Sequence, residues 1–117
     1  MRLVHFLFII HLLALCFGLA GMLVALPNPQ LWAESRDAAW IFGVSMQYAG
    51  SLHILLGAAT LLVFGLRLVG ARKTLIFFIA ATTLSLGFEL LGTGTGWPFG
   101  AYSYTSGLGW KIGGRVP

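Results

Sequence analysis

The sequence predicts an all-α, polytopic membrane protein with three transmembrane helices and a C-terminal segment rich in glycine and aromatic residues. Two observations carry this. The 117 residues are 58% hydrophobic and only 9% charged, against roughly 25% charged residues in soluble domains. Three apolar stretches, 3–26, 46–69 and 74–92, account for most of the chain, and each is near the ~20 residues that cross a hydrocarbon core. Backbone groups in lipid must pair internally, which an isolated strand cannot do, so each stretch is expected to be a helix. Residues 1–117 are read as a single membrane domain that includes a tail over 93–117.

The first stretch follows Arg2 and precedes Pro27, as a cleaved signal peptide would. Its apolar length exceeds the roughly 7–15 residues of a signal-peptide core and it lacks a small-residue cleavage site, so a retained helix is expected. Pro27-Asn28-Pro29 ends it, because proline cannot continue the hydrogen-bond ladder and restricts the residue before it. Leu31 to Phe42 mixes Trp32 and Trp40 with Glu34, Arg36 and Asp37. That mixture suits either a short interfacial helix with indoles at headgroup level or a simple loop.

Gly70 to Lys73 is a tight connection, so the second and third helices are expected to be antiparallel neighbours. Arg67, Arg72 and Lys73 cluster there, and Arg2 falls on the same side, which the positive-inside rule makes cytoplasmic. The run Gly92-Thr93-Gly94-Thr95-Gly96-Trp97-Pro98-Phe99-Gly100 breaks the pattern, and the third helix is expected to end near Gly92. The net charge of +4 is scattered over the helix ends, where it meets lipid headgroups, so the lipid bilayer and not nucleic acid is the expected partner. Cys16 is the only cysteine. It permits no disulfide framework and is expected to pack.

At helical spacing each span carries a face of small or polar residues: His11, Ala14, Gly18 and Gly21; then Gly50, His53, Gly57 and Thr60; then Thr82, Ser85, Glu89 and Gly92. Small residues let membrane helices approach closely, which places His11, His53 and Glu89 inside. Glu89 is the most informative of these, since an ionisable group in a span is disfavoured by ~2.5–3.5 kcal/mol at a helix centre and is usually functional or paired. Desolvation would suit it to donating a proton. Hydrogen bonding to the tail's amides is the structural alternative. His11 and His53 are either interhelical hydrogen-bonding groups in a polar network or ligands for a pigment or haem. No metal site is read from the sequence. Trp97, Phe99, Tyr102, Tyr104 and Trp110 stand among glycines, a surface suited to a long conjugated ligand or to an interfacial aromatic belt. No phosphate-binding motif is present.

The string from Phe88 to Tyr104 resembles the membrane carotenoid hydratase family, carotenoid biosynthesis proteins that hydrate the linear end groups of γ-carotene, lycopene or bacterioruberin precursors. The resemblance lies in Glu89 and Gly92, then Gly96, Pro98-Phe99-Gly100, Tyr102 and Tyr104, and later Gly107 and Val116-Pro117. It covers roughly the last quarter of the chain, with the upstream helices matching through hydropathy alone. Family members are longer, with further membrane helices, so the resemblance implies that residues 1–117 correspond to an N-terminal portion of such a protein or to a shortened relative.

The resemblance implies a carotenoid substrate of lycopene or γ-carotene type, addition of water across the terminal trisubstituted double bond, a tertiary alcohol product and no redox cofactor. The chemistry needs an acid to protonate the less substituted carbon. By residue type Glu89 is the candidate acid, Tyr102 or Tyr104 would position water, and Gly92, Gly96, Trp97, Pro98, Phe99 and Gly100 would line the substrate. The expected location is a bacterial inner membrane with a cytoplasmic N-terminus. The alternative is a non-catalytic small subunit of a membrane complex, such as a photosynthetic one, that packs against other subunits and binds carotenoid or chlorophyll. A haem-binding electron carrier is a third reading, resting on His11 and His53 alone.

Overall fold

The structure, a computed structural model, describes residues 1–117 and contains three helices long and apolar enough to cross a membrane. Burial is inverted relative to a water-soluble protein. Only Val4, Thr60, Thr74 and Gly92 are buried, while leucines, isoleucines and phenylalanines of all three helices stand exposed. Such a surface is stable where lipid is the solvent. The chain divides into two compact units, Met1–Leu61 and Leu62–Pro117, with the boundary inside the second helix.

In the first unit, helix α1 spans Arg2–Ala20 and continues as a π-helical turn over Gly21–Ala25, closed by the Leu26 amide donating to Gly21 O at 2.8 Å. Side chains then take up carbonyls that the helix end leaves over. Asn28 Nδ2 donates to Val24 O at 2.7 Å and Trp32 Nε1 to Ala25 O at 2.8 Å. A 3-10 turn follows over Pro29–Leu31.

Helix α2 runs without interruption over Arg36–Leu68. The separate interfacial helix or loop expected up to Phe42 is therefore corrected from Arg36 onward, where those residues form the first turns of α2. No proline lies between Arg36 and Met46, Asp37 complements the helix dipole in the first turn, and Ser35 Oγ accepts from the Ala38 amide at 3.4 Å. At about 1.5 Å per residue its 33 residues extend for ~50 Å, well beyond the ~30 Å hydrocarbon core. Its polar start with exposed Trp40 thus has room at headgroup depth.

α1 and α2 are antiparallel within this unit, His11 lying against His53 and Gly21 against Met46. The expected small-residue faces are only partly engaged. Gly57 is pressed on the His11 ring, but the space around Gly18 and Gly50 is open. Cys16 is exposed and not packed as expected; a small, weakly polar thiol tolerates a lipid-facing position.

In the second unit the end of α2 reverses through Val69 and Gly70, whose φ of +95° only glycine adopts without strain. Helix α3 follows over Ala71–Thr95. Gly65 admits the buried Thr74 side chain, whose Cγ2 would lie 2.8 Å from a β-carbon at that position. The expected end of this helix near Gly92 is corrected to Thr95. Hydroxyls of Thr93 and Thr95 bond back to Glu89 O and Leu91 O, both one turn earlier and at 2.7 and 2.8 Å, so the glycine run stays helical. The stop comes at Gly96, left-handed with φ +78°, whose amide caps Gly92 O.

Candidate functional site

Past Gly96 the tail folds back along the last turns of α3. Two contacts to α3, through Arg115 and Gly113, hold it there, and a third, through Lys111, ties the tail to itself. Arg115 Nη1 donates to Thr93 O at 3.0 Å, Lys111 Nζ donates to Tyr104 O at 2.6 Å, and Gly113 approaches Leu90 closely enough that a β-carbon would meet its Cδ2 at 3.3 Å. The Ile112 amide donates to Val116 O, closing the final turn.

This path brings Tyr102 and Tyr104 to Glu89, thirteen and fifteen residues upstream. Tyr102 Oη donates to Glu89 Oε2 at 2.7 Å and Tyr104 Oη donates to the same oxygen at 3.1 Å. The two rings meet edge to face, centroids 5.9 Å apart, the arrangement aromatic quadrupoles favour. Oε1 is engaged by neither phenol. All three residues are half-buried.

Gly92 is what makes room. It lies one turn beyond Glu89 and is buried, and a β-carbon there would fall 2.7 Å from Tyr102 Oη and 3.3 Å from Phe99 Cδ2. Any side chain would therefore push the Tyr102 phenol off its carboxylate.

The carboxylate in turn acts on the phenols. The hydrogen bond to Glu89, followed by desolvation and the repulsion between a tyrosinate and that carboxylate, pushes Tyr102 up to about 12. Desolvation first, then the same bond, raises Tyr104. Both stay protonated, hence remain donors, throughout the physiological range.

The other expected site residues are distributed differently. Gly96 is the helix stop, and the Gly100 amide turns back to Gly96 O at 2.6 Å. Pro98 lies between them and is exposed. Phe99 shields Gly92 with one edge yet is 67% exposed, and Trp97 is 63% exposed. Trp97 and Phe99 thus offer apolar faces outward beside the Tyr–Glu–Tyr group. Thr82 and Ser85, expected on the face of Glu89, are exposed.

His11 and His53 meet each other and form a polar contact. His11 Nδ1 lies 3.0 Å from His53 O, a distance and acceptor that make this nitrogen the protonated one, and the rings stack at 4.5 Å and 15°. Imidazole lone pairs lie in the ring plane, so stacked rings cannot both ligate a metal held between their faces.

The roles of Lys111 in bracing the tail and of Arg115 in fastening it to α3 were not legible in the sequence. Nothing in their spacing marks these roles.

A comparison with protein families matches residues 49–117, more than half of the chain, to the family described as carotenoid biosynthesis protein. The matched segment contains Glu89, Tyr102 and Tyr104. No curated protein and no solved structure matches the chain.

Proposed function

Since the chain belongs to the carotenoid biosynthesis protein family, and the family implies a carotenoid-type substrate, we propose that it hydrates the terminal double bond of a linear carotenoid such as lycopene or γ-carotene. The observation that carries this reading is the pair of phenols converging on one oxygen of a single carboxyl group.

In the reacting form Glu89 is neutral with its proton on Oε1. The proton passes to the less substituted alkene carbon, the π pair forms the new C–H bond, and a tertiary cation remains. Water adds to the cation and the resulting oxonium returns its proton to the Glu89 carboxylate. The net change is addition of one water, with the acid regenerated and no electrons gained or lost.

Tyr102 and Tyr104 matter most in the middle of this sequence. Their bonds to Oε2 strengthen as negative charge develops on Glu89, so they favour the transition state over the ground state. The exposed faces of Trp97 and Phe99 suit a polyene and can attract its developing positive charge. With the basic turn Arg67, Arg72 and Lys73 on the cytoplasmic side of a bacterial inner membrane, the N-terminus is cytoplasmic and the Glu89 end of α3 faces outward.

The test is expression of the full chain in cells that accumulate lycopene, with chromatography of the extracted pigments. The expected result is a hydroxylated product that disappears in Glu89→Gln, since general acid catalysis contributes about 10²–10⁴-fold. Unaltered lycopene, with the protein instead co-purifying with a pigment complex, would replace this reading by that of a non-catalytic pigment-binding subunit.

A further inference from the structure

A cavity of about 490 Å³ opens in the Met1–Leu61 unit between the C-terminal end of α1 and the early turns of α2, within the roughly 300–1,000 Å³ of small-molecule sites. Apart from Ala49 its lining residues precede the segment matched to the family. We infer that this cavity is a second binding site, separate from the Glu89 group, for a rigid polyene chain.

The wall is built in three parts. One is the π-helical turn Gly21–Ala25, a widening of the helix that often accompanies functional sites. The second is a flat plate, the Trp32 indole stacked on Phe42 at 4.2 Å and 13°. Trp32 is fixed in that pose because its Nε1–H is bonded to Ala25 O of the π turn. The third is Gly18, where open space replaces a side chain. Ser45 carries the one hydroxyl on the wall.

In a bilayer, apolar character does not select an occupant, because lipid tails are as apolar as the cavity. Selection falls to shape and entropy. A flexible acyl chain loses torsional freedom at every bond it fixes, whereas a conjugated rod is already straight. A plate of two stacked aromatic rings also matches an extended π system in offset stacking. A polyene is therefore the fitting occupant, and an acyl chain is the competitor it must displace.

The inference rests on the proposed function only for its probe, lycopene. The full chain is reconstituted in phosphatidylcholine nanodiscs and titrated with lycopene, and the induced circular dichroism of the polyene band is read. Gly18→Leu fills the cavity from an α-helical position with nothing within 4 Å of its β-carbon. Phe42→Leu removes half of the plate without filling anything, and so answers the question if Gly18→Leu loses its helical far-ultraviolet spectrum.

Saturable binding weakened roughly tenfold in either folded variant, with the flexible, saturated isoprenoid squalane failing to compete, is the expected result. Unchanged binding in both variants, or squalane competing as well as lycopene, would overturn the site. Should the signal vanish in Gly92→Ala but persist in Gly18→Leu, the polyene occupies the Glu89 site alone, which removes this inference and leaves the hydratase reading standing. Binding that needs Gly18 and Phe42, in a protein that never hydrates lycopene, would do the reverse.

Discussion

Tyr102 donates a 2.7 Å hydrogen bond to Glu89 Oε2 from a tail that reaches it only after the chain has turned back at Gly96 and Gly100. Tyr104 reaches the same oxygen at 3.1 Å. Two donors on one carboxylate oxygen form a small anion-stabilising device at the end of a membrane helix.

The difference in length between the two bonds sets an order of effect. Tyr102→Phe should lower the yield of hydroxylated carotenoid roughly tenfold, Tyr104→Phe by less, and the double variant by more than either. Product chromatography at matched protein levels measures this. Equal yields in all three would show that the phenols are not used.

Gly92→Ala should resemble Tyr102→Phe in activity while leaving the helices intact. Its β-carbon would meet the far end of a movable side chain, Tyr102 Oη, at 2.7 Å, so the phenol can give way at little expense to the fold. Pigment analysis together with the far-ultraviolet spectrum separates loss of the site from loss of structure.

Ionisation of the phenols should be late. A raised value means the folded protein holds the proton more tightly. The Tyr102–Glu89 bond is thus fully present below the ordinary phenol value of 10.0 and is lost as pH rises toward about 12. In a Tyr48→Phe background, which leaves only Tyr102 and Tyr104, the tyrosinate absorbance should rise above pH 10. Glu89→Gln removes the charge and should bring that rise down toward 10.

His11 should act as an interhelical hydrogen-bonding group. His11→Phe keeps a ring against His53 but removes the donor to His53 O, and such bonds in membrane proteins contribute about 0.6 kcal/mol on average. A modest fall in the denaturation midpoint in detergent is expected. Gly57→Ala, whose β-carbon would lie 2.9 Å from His11 Cε1, should produce a similar fall.

The helices were legible in the sequence because apolar length is a property of the chain itself, and lipid leaves the backbone few options. The site residues were legible as types: a carboxyl in a span and tyrosines in a glycine-rich tail. Their meeting was not, because it depends on positive φ at Gly96, Gly100 and Gly113 and on Lys111 and Arg115 finding backbone carbonyls. The end of α3 was misread for a related reason. Glycine frequency signals a break, but the back-bonding of Thr93 and Thr95 opposes it, and only Gly96 takes up the left-handed conformation. The start of α2 was misread because charged residues near two tryptophans suit an interfacial segment equally well whether or not the helix continues.

The most direct measurement of the central claim, proton transfer from Glu89 to an alkene carbon, is isotopic. Lycopene converted by the full chain in heavy water should yield an alcohol carrying one non-exchangeable deuterium beside the new tertiary alcohol carbon, and Glu89→Gln should yield none. An alcohol formed without carbon-bound deuterium, or formed equally well by Glu89→Gln, would contradict it.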